Sequence, residues 1–162
     1  MQTFLTSVST DFSETAKSLD RLRLNKQALE AWQIMMTNLA MDADGNYRKP
    51  KGWYNHPAVK MWRGYEVTLY FYIKAMVDEW VSRGYNSTIL EKAQFTMECA
   101  QLNGLVHTSE FPYWMKDENL YSQIVSSHRT ALLHKDYSWY SQFHWTEDTG
   151  IKPDTYDYIW IA

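Results

Sequence analysis

A single cysteine, Cys99, excludes any internal disulfide, and only four prolines and six glycines in 162 residues leave long stretches with nothing to interrupt a helix. No apolar run approaches the ~18 residues that a membrane-spanning helix requires. The opening MQTFLTSVSTDF lacks the basic start and apolar core of an export signal. A chain in a reducing cytoplasm, with no membrane partner and with Cys99 inert in a helix, is the expectation. Excess positive charge is missing too: a net charge of −3 argues against avid, nonselective binding of polyanions, which depends on Lys and Arg displacing counterions. His56, His107, His128, His134 and His144 form neither an HxxxH nor an HExxH spacing, so no metal and no other cofactor is expected. A glycine-rich phosphate loop, a nucleophile elbow and strand-helix alternation are absent as well.

What the chain has is rings. Eight Trp, twelve Tyr and six Phe supply enough apolar surface for one packed core, and the length suits a single domain over residues 1–162. Charge is uneven. Residues 1–85 carry eleven Lys and Arg against nine Asp and Glu, whereas residues 86–162 carry five against ten, so an anion site belongs to the first half.

Periodicity gives an all-α reading. Residues 1–8 are short and extended; Asp11 with Glu14 forms a capping box for a helix over SETAKSL. From Asp20, itself a cap, to Met41 the residues are good helix formers, with Leu22, Ala28, Leu29, Trp32, Met35, Met36 and Leu39 as the core arc. Residues 42–55 make a turn-rich loop carrying Arg48, Lys49 and Lys51; its DxDxN start lacks the Gly and Glu of a calcium loop, since Tyr47 and Trp53 stand there. One helix, ~40 Å long, is expected from Pro57 to a stop at Gly84. Thr88 and Glu91 form a second capping box, Asn103-Gly104 ends that helix, and another runs from Glu118 through His134 and Lys135. A short aromatic helix in DYSWYSQFHW and an irregular tail of alternating rings complete the chain.

Three groups of polar residues carry possible chemistry. Arg23, Lys26, Glu30, Gln33 and Thr37 follow one another at spacings of 3, 4, 3 and 4, which aligns them along one face of the helix. Such a stripe reads either as a solvated face with a Lys26–Glu30 pair or as a wall where a carboxylate lies beside cations that attract phosphate. Asn55-His56-Pro57 reads as a helix cap or as an anion-binding lip, and Ser127-His128-Arg129 as a plain helix turn or as a contributor to Glu30 from a neighbouring helix. Loop rings such as Trp53, Tyr54 and Trp62 are candidates for stacking on bases, whereas Tyr65, Leu69, Tyr72 and Met76 at helical spacing belong to the core.

The segments LDRLRLNKQALEAWQ, YNHPAVKMWRGYE, EWVSRGY and SSHRTALLHKD together resemble the pyrimidine-dimer DNA glycosylase superfamily of endonuclease V type, in its less-characterised bacterial and phage branch, over most of the chain. The shared pattern falls on Asp20, Lys26, Glu30 and Gln33, on Asn55-His56-Pro57 and on Ser127-His128-Arg129. The resemblance implies a helical bundle with an N-terminal arm running between helices. It also implies a terminal amine that attacks the sugar carbon as a Schiff-base nucleophile, with a Glu assisting, and a strand cut by β-elimination. Carried onto this chain, Met1, Glu30 and His128 are the candidate catalytic residues; Arg23, Lys26, Gln33, Asn55, His56 and Arg129 are the candidate binders of phosphate or nucleic acid. Two departures stand out: Gln2 is expected to keep Met1 as the terminus where the repair enzyme exposes Thr, and Arg23 falls near the position of that enzyme's Glu. Duplex DNA or a nucleotide is the implied partner, and a noncatalytic binding module that keeps the anion pocket is the alternative.

Overall fold

The computed structural model describes residues 1–106 and 108–161; His107, one of the five histidines, lies outside them. Among the described residues eight α-helices follow in order: α1 (Ser13–Ser18), α2 (Arg21–Leu39), α3 (Pro57–Lys60), α4 (Glu66–Ser82), α5 (Ile89–Leu102), α6 (Tyr113–Lys116), α7 (Glu118–Lys135) and α8 (Tyr137–Tyr140). Short 3₁₀ turns occupy Trp53–Asn55 and Ser141–Phe143. There is no strand among the described residues, and the only bridge of β type joins Met41 to Tyr47 across the loop after α2. The all-α expectation holds.

Helix α2 begins where its cap demands. Asp20 accepts from the Arg23 amide at 3.4 Å and from the Arg23 guanidinium at 3.1 Å, and the Tyr140 hydroxyl donates to the same carboxylate. The helix ends at Ala40, which turns left-handed at φ 52° and returns its amide to Met36 and Thr37. α2 packs on α3, α4 and α5, and every helix contributes to one buried apolar cluster.

Four details differ from the expectations. The buried arc of α2 is centred on Leu24, Ala28, Ala31, Ile34 and Met35, while Leu22 is 68% and Leu29 40% exposed. Those leucines, seven residues apart, share the face of Lys26 and Gln33. The expected long helix after Pro57 is broken: α3 lasts four residues, and turns through residues 61–65 place Gly64 at φ 86°, a left-handed conformation that a helix interior excludes. Apolar periodicity persists on both sides of that break, which hides it. The Asp11 carboxylate receives the Ser13 amide at 3.0 Å, while Glu14 turns to the Ser7 hydroxyl instead of closing a box. At α5 it is the Ser87 hydroxyl, not Thr88, that receives the Ile89 amide.

The N-terminal arm runs between helices, as the resemblance implies, but its backbone pairs with side chains and not with another strand. The Phe4 amide donates to Gln27 Oε1 of α2 at 2.8 Å, the Leu5 amide to His128 Nδ1 of α7 at 3.0 Å, and the Thr6 amide to Thr15 Oγ1 of α1 at 3.1 Å. The Phe4 carbonyl accepts from the Tyr72 hydroxyl of α4 at 2.7 Å, and the Thr6 carbonyl from Arg129 Nε of α7 at 2.8 Å. Trp62 Nε1 donates to Thr3 Oγ1 at 2.9 Å. An unpaired buried amide costs about 1–3 kcal/mol, so these bonds are what allow an extended segment to lie in the core.

Candidate active site

The arm brings Met1 to the α2 stripe. One cavity of about 480 Å³ is lined by Met1, Gln2 and Phe4 of the arm, by Arg23, Lys26, Gln27 and Glu30 of α2, by Lys135 at the end of α7, and by Tyr156 and Tyr158 of the tail. A second, of about 360 Å³, is lined by Met1 again, by Gln33, Met36 and Thr37 of α2, and by Arg48, Lys49, Lys51 and Trp53 of the loop. The stripe is therefore a wall shared by two cavities, with Met1 between them.

No ion pair joins Lys26 to Glu30 among the described residues, so the i, i+4 pair of the solvated reading is not formed. Glu30 is half-buried and its charge is felt inside. Burial, and after it the Glu30 carboxylate, holds the Tyr72 phenol well above its ordinary pKa. Burial first, then Tyr156, with a smaller push from Glu30, raises Tyr158 as well. Lys26 and Gln33 are exposed, and Arg23 is tied to Asp20 with part of its guanidinium left at the cavity.

His56 caps α3: its Nδ1 accepts from the Ala58 amide at 3.0 Å, with Pro57 in the first turn. Its pKa is lowered, mainly by burial and then by the charge of the Met1 amine. His56 also links Trp53 and Trp160, with ring centroids 5.3 Å and 5.8 Å away. Asn55 is exposed in the preceding 3₁₀ turn.

His128 and Arg129 line neither cavity; they hold the arm from behind. His128 is 1% exposed, and burial lowers its pKa to about 3, so its imidazole is neutral with Nδ1 as acceptor for Leu5. Arg129 spends its guanidinium on Thr6, on Glu147 at 3.5 Å and on the face of Trp145 at 5.3 Å. Of the loop rings, Trp53 is 54% exposed at the second cavity, Tyr54 lies under the Arg63 guanidinium at 3.9 Å, and Trp62 is fully buried, which removes it as a stacking surface. Arg63 also bonds Asn38 and the Tyr54 carbonyl, fixing the basic loop against α2.

Sequence reasoning missed Gln27, Tyr72, Lys135, Tyr156 and Tyr158. Gln27 left one sign: it is a polar residue inside the arc of Leu24, Ala28 and Ala31. Its Oε1 takes both the Phe4 amide and the Tyr72 hydroxyl, each at 2.8 Å. The Gln2 side chain adds an unusual group, because its Oε1 is held by the Thr3 amide at 2.9 Å while its buried Nε2 has no partner among the described residues.

The described residues thus gather the Met1 end of the arm, the Glu30 carboxylate and the cations Arg23, Lys26 and Lys135 at one cleft of an all-helical fold. The chain belongs to the pyrimidine dimer DNA glycosylase family, whose model matches residues 1–92. The match takes in the arm, α2, the basic loop, α3 and α4, while α7 and the tail, which close the first cavity, lie beyond it. No curated protein matches the chain. No solved structure matches it. The family makes DNA glycosylase chemistry its setting, and no helix among the described residues is long and apolar enough to cross a membrane.

Proposed function

We propose that this protein releases a damaged or modified base from duplex DNA, with the Met1 amine as nucleophile at C1′ and Glu30 as the acid-base group beside it. The observation that carries the reading is the position of Met1, which lines both the cavity holding Glu30, Arg23 and Lys26 and the cavity holding Arg48, Lys49 and Lys51. A primary amine attacks a sugar carbon through its nitrogen lone pair and can carry the covalent intermediate as an iminium. Its attack on C1′ forms a C–N bond as the base departs. Loss of a proton and opening of the sugar then give an iminium, from which β-elimination cuts the strand.

The cations of α2 and the loop hold phosphates on the two sides of the amine, joined by Gln33 and Asn55 as neutral donors. Trp53 offers an exposed ring beside the strand. His56, whose pKa burial lowers, caps α3 and sets the Trp53 ring beside the second cavity. His128 and Arg129 act as positioning residues, since they hold the arm whose first residue attacks.

The test compares wild type with Glu30→Gln on ultraviolet-irradiated duplex DNA, with borohydride present to trap an iminium. Wild type is expected to cleave the C1′–N bond, read as strand cutting, and to give a covalent adduct, and Glu30→Gln to lose at least 100-fold in rate. A form extended at its N-terminus, so that no free amine sits at Met1, is expected to bind duplex and give no adduct. Duplex binding by the wild type with neither strand cutting nor adduct would establish the binding module instead.

A further inference from the structure

The tail brings two phenols into the first cavity, and neither belongs to the family-matched part of the chain. Tyr156 and Tyr158 stand with ring centroids 5.1 Å apart. The Lys135 ammonium lies 5.0 Å from the centroid of the Tyr156 ring. Tyr158 is wedged among Phe4, His128 and Trp160, at 6.3, 5.6 and 5.4 Å. The tail is pinned there by the Ile159 amide, which donates to Ser127 Oγ at 3.1 Å. Tyr156 thus sits in the same cavity as Met1 and Glu30, with a cation and a second phenol at its side.

Resting on the glycosylase reading of this cavity, we infer that Tyr156 is a further catalytic residue, the general acid that protonates the departing base. As the Met1 nitrogen bonds to C1′, the C1′–N bond to the base breaks. Its electron pair leaves with the base, and the Tyr156 hydroxyl proton goes to that base. The phenolate left behind is held by the Lys135 ammonium and the Tyr158 hydroxyl. It recovers its proton from the newly alkylated amine, so the tyrosine returns to its starting state.

The electrostatics agree. The nearby Lys135 ammonium is the main cause that holds the Tyr156 phenol below its ordinary pKa, with Tyr158 and Arg23 adding to it. An acid somewhat stronger than free phenol transfers its proton more readily. The charged and titratable groups around it are Arg23, Lys26 and Glu30 of α2, His134 and Lys135 of α7, Tyr158 and the Met1 amine. Cations outnumber the single carboxylate, which favours the phenolate formed after transfer.

Two substrates separate this step from the rest of the reaction. Lesion-bearing duplex requires a base to leave; duplex with a preformed abasic site does not. Tyr156→Phe is expected to slow C1′–N cleavage on lesion-bearing duplex, read as strand cutting, on the order of 100-fold while cutting and borohydride trapping on abasic DNA stay within twofold of wild type. Equal base release by wild type and Tyr156→Phe overturns the assignment, and so does equal loss on both substrates, which marks a packing role. Failure of the wild type on both substrates instead removes the glycosylase reading beneath it. Lys135→Met provides a check that keeps the phenol. The rate of base release falls at alkaline pH as the donor form is lost, and removing the ammonium is expected to move that limb upward. A limb that stays in place overturns the inference.

Discussion

The Leu5 amide donates to Nδ1 of His128 at 3.0 Å, a bond that joins the N-terminal arm to the middle of α7 across 123 residues. Only a neutral imidazole can accept there, and burial keeps His128 neutral with a pKa of about 3. The ring is also boxed by Phe4 and Tyr158, at 5.9 Å and 5.6 Å. The arm that delivers Met1 therefore depends on a histidine that must not take up a proton.

That dependence sets the acid behaviour of the fold. The folded pKa lies below the unfolded value of about 6.5, so the unfolded state binds the extra proton. Stability from this site is complete above pH ~6.5 and declines by up to about 1.4 kcal/mol per unit as pH falls toward ~3, where the decline ends. His128→Gln keeps an acceptor without a titrating ring. Urea denaturation between pH 7 and 4 is expected to show a markedly shallower loss of stability in His128→Gln than in wild type, and parallel curves would refute the account.

Capping at the start of α2 is the second measurable relationship. Asp20 is buried and serves the Arg23 amide, the Arg23 guanidinium and the Tyr140 hydroxyl together. Asp20→Ala removes the cap and leaves the Tyr140 phenol without its acceptor. A loss of about 1–3 kcal/mol is expected from the two effects. Asp20→Asn retains an oxygen for the amide and is expected to lose less, as read by the midpoint of urea unfolding.

Much of this architecture was legible in the sequence, for reasons that α2 makes plain. Its helical period, the Asp20 cap and the alignment of Arg23, Lys26, Glu30 and Gln33 are all local properties, and each is found in the fold. What the stripe faces is not local. Gln27 serves an amide 23 residues away, and Lys135, Tyr156 and Tyr158 reach the cavity only because α7 and the tail fold back over the arm. Leu22 and Leu29 read as core because a broad apolar arc has no sharp edge in the sequence, whereas Leu22 lies at the rim of the first cavity. The break at Gly64 went unseen because both flanks remain apolar at helical spacing.

Duplex binding offers a test of the cavity walls apart from chemistry. Arg48, Lys49 and Lys51 make no ion pair among the described residues, so their charges are free to meet phosphate. Each phosphate contact contributes about 0.9 to the slope of log affinity against log salt. Replacing all three by Ala is expected to lower that slope by about 2–3 and to weaken duplex binding at low salt, with thermal stability unchanged. Arg129→Lys is expected to behave the other way, lowering stability with little change in slope, because its guanidinium is committed to Thr6 and Glu147.

The basic loop is held in place by a contact that substitution can probe in two steps. Gly45 turns at φ 83°, and a Cβ added there would lie 2.7 Å from Cys99 Sγ on α5. Two costs follow for Gly45→Ala: strain of about 1 kcal/mol from the left-handed backbone, and a clash that α5 or the loop must relieve by moving. Cys99→Ala removes only the second. The double variant is expected to recover part of the stability lost in Gly45→Ala, leaving the backbone strain as a residue, so the two changes are nonadditive by more than about 0.5 kcal/mol. Because Arg48, Lys49 and Lys51 follow this turn, the single variant is also expected to bind duplex more weakly than the double one. Additive stabilities would place the loop out of contact with α5 in solution, and the loop cations would then lose their fixed position beside Met1.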